Sequence, residues 1–146
     1  MDKKDEEILN VLKEHARLQT KSIAKKTKLP ITTVHNRIKK LEKEGIITGY
    51  SAKLDYKKIG FPISAFILIT VDYRLLKEKN TTQYEVVKTL RRQSQVVEAA
   101  MLTGTSDIII KIRAKSIESL NDFVTIYLRN IDGIEKTSTA VILNEA

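Results

Sequence analysis

Residues 31 to 43 read ITTVHNRIKKLEK, and several of these side chains carry groups able to read or hold a polyanion. Asn36 can bond adenine through two contacts, and Arg37 can do the same with guanine. Thr32 and Thr33 offer a hydroxyl or a methyl, and Lys40 can neutralise a phosphate. At about 100° per residue, Ile31, Val34, Ile38 and Leu41 cluster within roughly 80° of one another. Thr32, Thr33, Asn36, Lys40 and Lys43 then take the opposite side, with His35 and Arg37 on the two flanks. The spacing predicts an amphipathic helix whose polar face suits base edges in a groove. The plainer alternative is an ordinary exposed helix face. His35, close to the core boundary, is expected to pack or bond locally.

Such a helix needs others to hold it. Residues 2–15 read as a first helix, with Asp5, Glu6 and Glu7 in early turns that favour negative charge and Ile8, Val11 and Leu12 as its stripe. His15 lies near its end and is read as structural. A second helix covers roughly 20–28, with Ile23, Ala24 and Thr27 facing inward, and Lys21 and Ser22 join the candidates for DNA contact. Leu29-Pro30 ends it, because the residue before proline is pushed out of helical geometry. The third helix runs on to Gly45, which suits a left-handed C-terminal position. Three short helices with tight turns outline a helix-turn-helix.

Charge supports that outline. Net charge is +8 over 146 residues. Residues 1–60 hold 15 Lys+Arg against 8 Asp+Glu, whereas residues 61–146 hold 11 against 10. Between 21 and 40 there are seven basic residues and no acidic one. A basic segment joined to a near-neutral one suggests polyanion binding at one end, although a lysine-rich solvated surface has the same arithmetic.

After Gly45 the period changes, and Tyr50, Ala52 and Leu54 alternate as in a wing or exit strand. The domains expected are a helix-turn-helix over 1–48, an exit strand and linker over 49–61, and a second domain over 62–146. In the latter, ISAFILITVDY suits a buried strand and residues 80–94 a helix opened by Asn80 and Gln83. VVEAAMLT and DIIIKIRA form a hairpin about Gly104-Thr105-Ser106. Ser116 caps a second helix carrying Ile117, Leu120, Val124, Tyr127 and Leu128, and a last strand runs from Ile134 to Leu143. The order β-α-β-β-α-β is the ferredoxin-like split unit, so the fold class is α+β. Two helices cover one sheet face only, which leaves apolar residues on the other and favours oligomerisation.

Catalysis and membrane insertion find little support. The chain has two His and no Cys, no clustered carboxylates in its second half and no Gly-rich phosphate loop. No metal site or cofactor is expected, and the chain is read as a non-enzyme. AFILI is far too short to span a bilayer, and the charged N-terminus has no signal-peptide character, so a cytoplasmic location is expected. The strands 96–103 and 107–114 lack the aromatics of an RNA-binding sheet.

The pattern V34-x-x-R37-I38-x-x-L41-E42-x-x-G45-I46-I47-x-G49-Y50, followed by L54-D55 and G60, resembles the Lrp/AsnC family of transcription regulators. The similarity continues through LTGTSDIIIKI, whose Gly-x-x-Asp turn is like that of the family. It covers essentially the whole chain. Members usually carry Ser at the position of Pro30, so the usual cap of the third helix is missing. Either Pro30 rigidifies the turn or a neighbouring Thr replaces the cap.

The resemblance implies a winged helix-turn-helix joined to a ligand-sensing and assembly domain. It implies homodimers built through the second domain's sheet, with further assembly into tetramers or octamers. It also implies a small-molecule effector, typically an amino acid, held between dimers near the turn. Carried over by position, this singles out Thr103, Gly104, Thr105, Ser106 and Asp107, with Thr137 and Thr139 on the last strand. Turn amides can hold a carboxylate and Asp107 an ammonium, although Gly-Thr-Ser-Asp is also an ordinary hairpin turn. The rival reading is a metabolite-binding regulatory subunit whose basic helices dock an acidic protein partner.

Overall fold

The computed structural model of the chain describes residues 1–145. It divides into two compact units, Met1–Leu54 and Asp55–Ala146.

The first unit is three helices: α1 (Lys3–Glu14), α2 (Thr20–Thr27) and α3 (Ile31–Lys43). Each is short enough to be marginal alone, so packing must hold them. Ile8, Leu12, Ile23, Ala24 and Val34 form a dry cluster, with Val11, Leu18, Leu29, Ile38 and Ile47 around it. Each large side chain buried there contributes about 1.5–3 kcal/mol of transfer free energy. Ile31, expected in this stripe, is half exposed instead. It occupies the first position of α3 and lies outside the cluster.

The helix ends differ in kind. Asp2 caps α1 by accepting from Asp5 N at 3.0 Å, and Asp5 accepts from Asp2 N at 2.9 Å, a reciprocal capping box. Lys28 closes α2 in left-handed geometry with φ 54°. Pro30 precedes α3 with no side-chain cap, so no threonine replaces the missing serine. Residues 46–54 form no strand. The alternation of Tyr50, Ala52 and Leu54 is present, but the side chains are exposed and the backbone has no neighbouring strand to pair with.

The second unit is a four-stranded antiparallel sheet in the order β2-β3-β1-β4, from β1 (Ile63–Val71), β2 (Val96–Met101), β3 (Ile108–Ala114) and β4 (Ile134–Val141). Ala65, Ile67, Ile69 and Val71 of β1, with Ile108, Ile110 and Ile112 of β3, pack beneath Leu76, Val86, Leu90, Leu120, Phe123 and Leu128. The period of two along each strand puts Phe66, Leu68, Ile109, Lys111 and Arg113 on the opposite, partly open face.

Three expectations change here. The apolar run does not continue as strand through Tyr73. Asp72 accepts from Arg74 N and Leu75 N and opens a separate helix, α4 (Tyr73–Glu78). The next helix, α5 (Gln83–Arg91), is capped by Thr82; Asn80 has φ 51° and so cannot take the extended geometry of a cap. Ser116 does cap the following segment, but that segment is not one uniform helix. It passes from α6 (Ile117–Asp122) through a π-helical turn (Phe123–Tyr127) to a 3-10 turn (Leu128–Asn130), with the Thr125 hydroxyl donating to Asn121 O at 2.8 Å.

Candidate functional site

Val34 and Leu41 are buried and turn α3 so that its far side is free. Thr32, Asn36 and Lys40 are exposed there, and Thr33 is half-buried beside them. Lys40 lies 3.8 Å from Glu44, yet its side chain remains 66% exposed, so the pair leaves the ammonium open to solvent. His35 is exposed, so it does not pack into the core as one of its two expected local roles required. On α2, Lys21 is exposed and Ser22 half-buried.

Arg37 has a different environment. Its Nη1 donates to both carboxylate oxygens of Asp2 at 2.7 Å and to Asp5 Oδ1 at 2.8 Å. The side chains are 26% exposed for Arg37, 55% for Asp2 and 9% for Asp5. Arg37 holds the carboxyl of Asp2 below its ordinary range, and the backbone N–H of Asp2 does the same for Asp5, with Arg37 second. The two acids hold the guanidinium pKa up in return. Thr33, Asn36, Arg37 and Lys40 line an open concavity of about 480 Å³ together with Met1, Asp2 and Asp5.

The second candidate group lies at the β2–β3 connection. Leu102 N donates to Asp107 O at 2.7 Å and closes the turn, in which Gly104 has φ 118°. Thr103, Gly104 and Thr105 are exposed, and Ser106 and Asp107 are half-buried. Both oxygens of Asp107 are engaged: Oδ2 accepts from Val71 N at 2.8 Å and Oδ1 from the Tyr73 hydroxyl at 2.8 Å. Gln83 Nε2 donates to the Asp107 carbonyl at 2.6 Å. Tyr73, expected at the end of a strand, and Gln83, expected as part of a helix cap, instead brace this turn. Their only local signal is the capping residue ahead of each helix, which reveals nothing about the turn they brace.

The ladder fixes where the two threonines stand. Thr137 pairs with Ile69 and Thr139 with Ile67, and Ile69 and Ile67 pair on their other side with Ile108 and Ile110. Thr137 is therefore level with the start of β3, two strand spacings or about 10 Å away. Thr139 lies one repeat further from the turn.

On the open sheet face, Glu145 pairs with Lys111 Nζ at 2.7 Å and with Arg113 Nη1 at 2.6 Å. Arg113 also donates to the Ser64 hydroxyl and lies 4.2 Å from the centre of the Tyr56 ring. The two cations pull the Glu145 carboxyl down to about 2. Among the described residues, no group of three or more His, Cys, Asp or Glu is placed to hold a metal, and no helix is long and apolar enough to cross a membrane.

Comparison with known proteins fits both halves. Residues 1–48 match the winged helix-turn-helix DNA-binding family, and residues 64–146 match the Lrp/AsnC ligand binding domain. An uncharacterized HTH-type transcriptional regulator of Pyrococcus horikoshii is 38% identical over 141 residues, covering 97% of this chain and 91% of that protein. The solved structure of E. coli AsnC superposes with a TM-score of 0.81 at 29% identity, over 99% of this chain and 93% of that one. B. subtilis LrpC gives 0.83 at 28%, over 100% and 96%. With a DNA-binding helix-turn-helix followed by a ligand-binding α+β domain, the chain belongs to the Lrp/AsnC family of transcriptional regulators.

Proposed function

We propose that the protein recognises specific DNA sequences through the exposed face of α3 and that an amino acid modulates this binding. The observation that carries the reading is the pairing of a dry seam (Val34, Leu41) with an exposed stripe of Thr32, Asn36 and Lys40, with Thr33 at its edge. Asn36 and the threonines have the groups to read base edges, and Lys40 to meet phosphate. Lys21 and Ser22 extend the contact from α2, and Arg37 contributes from the flank.

The proposed working unit is a homodimer that sets two copies of α3 in successive major grooves, about one helical turn apart. Phe66, Leu68 and Ile109 on the open sheet face support dimerisation, because such apolar positions favour cover. The proposed effector site is the turn Thr103–Ser106 with Asp107, Thr137 and Thr139. Asp107 shapes that turn through the bonds already described, while the exposed turn offers amides for a carboxylate. Effector binding would change assembly or helix spacing and so alter DNA affinity. Tetramers or octamers, and action in the cytoplasm, belong to the same reading.

The test is fluorescence anisotropy with duplexes enriched from a random pool, at several salt concentrations. Asn36→Ala should relax base preference. Lys40→Ala should weaken all sequences alike and reduce the salt slope by about one. Loss of only non-specific affinity in both variants would remove direct readout by this face. For the effector, a thermal-shift screen of the twenty amino acids should give a hit that Thr105→Ala weakens, and no hit at all would remove the amino-acid reading.

A further inference from the structure

We infer that Arg37 serves DNA recognition as a positioning residue: gripped by Asp2 and Asp5, it fixes how α3 presents Thr33, Asn36 and Lys40. The inference rests on the DNA-binding reading above and goes beyond it by separating the side chains that touch the duplex from the one that aims them.

The geometry has three parts. First, Arg37 is the seventh residue of α3, between Asn36 and the buried Leu41, so a restraint there acts on the middle of the helix rather than on an end. Second, its partners are the two residues of the α1 capping box, whose carboxylates are already fixed by backbone N–H groups at 2.9 and 3.0 Å. An acceptor held at the start of one helix is therefore joined to a donor in the middle of another, 35 and 32 residues away. Third, Asp5 is largely buried with the Asp2 N–H and Arg37 as its donors, so losing Arg37 would leave Oδ1 without its protein partner.

Charge alone would act in the opposite direction. Asp2 and Asp5 border the concavity that Asn36 and Lys40 line, and negative charge beside a phosphate surface repels it. If Arg37 were chiefly a base reader, the two acids would restrain it and weaken binding. The two readings thus predict opposite signs.

Asp2→Asn is the informative variant. Asn caps a helix as well as Asp does, so α1 keeps its cap while the bond to Arg37 loses its charge. Arg37→Lys is the second. All three contacts converge on one nitrogen, so an ammonium can replace them, whereas it cannot reproduce a bidentate grip on guanine.

The experiment compares the full-length wild type, Asp2→Asn, Arg37→Lys and Arg37→Met on a duplex enriched by the wild type and on a scrambled one, across a salt series. Melting curves check folding. The expected result is that Asp2→Asn lowers the ratio of specific to scrambled affinity by several-fold with an unchanged salt slope. Arg37→Met should lower it further, and Arg37→Lys should restore most of it. A higher ratio of specific to scrambled affinity in Asp2→Asn would overturn the inference, as would an Arg37→Lys protein that loses base preference as fully as Arg37→Met. If the wild type enriches no duplex and shows no salt-dependent binding, the DNA reading fails and the inference goes with it. A wild type that binds specifically beside an Asp2→Asn whose specificity ratio is equal or higher defeats the inference alone.

Discussion

The Tyr73 hydroxyl donates to Asp107 Oδ1 at 2.8 Å and so links the first turn of α4 to the β2–β3 turn. The carboxylate in return holds the phenol above its usual pKa. Val71 N occupies the other oxygen, so this side chain ties the end of β1 to the hairpin. Asp107→Ala leaves the amide of the buried Val71 without its charged acceptor and should destabilise the second unit by about 2 kcal/mol. Urea unfolding followed by tyrosine fluorescence would measure it. Tyr73→Phe, which leaves the carboxylate in place, should have a smaller effect. An equal loss in both variants would place the strength of the link in the phenol rather than the carboxylate.

Glu145 gives a pH prediction. Its folded pKa, about 2, lies below the ordinary glutamate value of 4.5 because Arg113 and Lys111 favour the carboxylate. A depressed folded pKa contributes stability that is complete above the unfolded value and is lost as pH falls towards the folded one. The difference in urea midpoint between wild type and Glu145→Gln should therefore be constant at neutral pH and shrink between about pH 4.5 and 2. A difference that persists unchanged to the acid limit would mean that the ion pairs are not its source.

Gly133 is held at φ 91°, and an added Cβ would overlap the side chain of Leu76. Its carbonyl also accepts from Asp72 N at 2.9 Å, which anchors the start of α4. Gly133→Ala combines left-handed strain with overpacking and should cost about 2–4 kcal/mol. In a double-mutant cycle, Gly133→Ala should cost less in a Leu76→Ala background than in the wild type, because the truncated side chain opens space. An equal cost in both backgrounds would leave backbone strain as the whole of it.

Lys28 takes the left-handed position between α2 and α3 without being glycine. Relieving that strain with Lys28→Gly should raise stability by up to about 1 kcal/mol, read as a higher melting temperature. Lys28→Val should lower it, since a β-branched residue fits that region worst. A drop in melting temperature for the glycine variant would show that chain entropy outweighs the strain.

Much of this was legible in the residues, for a physical reason. The stripe of Val34, Ile38 and Leu41 is local, so it reveals both the helix and the face opposite. The strands of the second unit likewise show in their β-branched runs, and Gly104-Thr105-Ser106 marks the turn between two of them. What the residues hid is pairing at a distance. Nothing near Arg37 points to Asp2, and nothing near Asp107 points to Tyr73. α4 was hidden differently: Tyr73–Glu78 follows β1 with only Asp72 between and no glycine or proline to mark the change. Asn80, Thr81 and Thr82, three cap-type residues in a row, made the start of α5 ambiguous. Tyr50, Ala52 and Leu54 show the reverse case, an alternating pattern with no partner strand to make it a sheet.

The strand order has a consequence in time. β1 sits between β3 and β4, and its register joins Ile69 to Ile108 on one side and to Thr137 on the other. Neither ladder can form until some 40 to 70 residues of intervening chain have closed into a loop. The three helices of residues 1–54 form from local contacts and close loops of about 35 residues to pack, as between Asp2 and Arg37. Helical units of that kind form faster than long-range strand pairing. During synthesis, the helical unit can therefore fold while β4, the last strand to be made, is still in the ribosome, and until it arrives one edge of β1 stays unpaired.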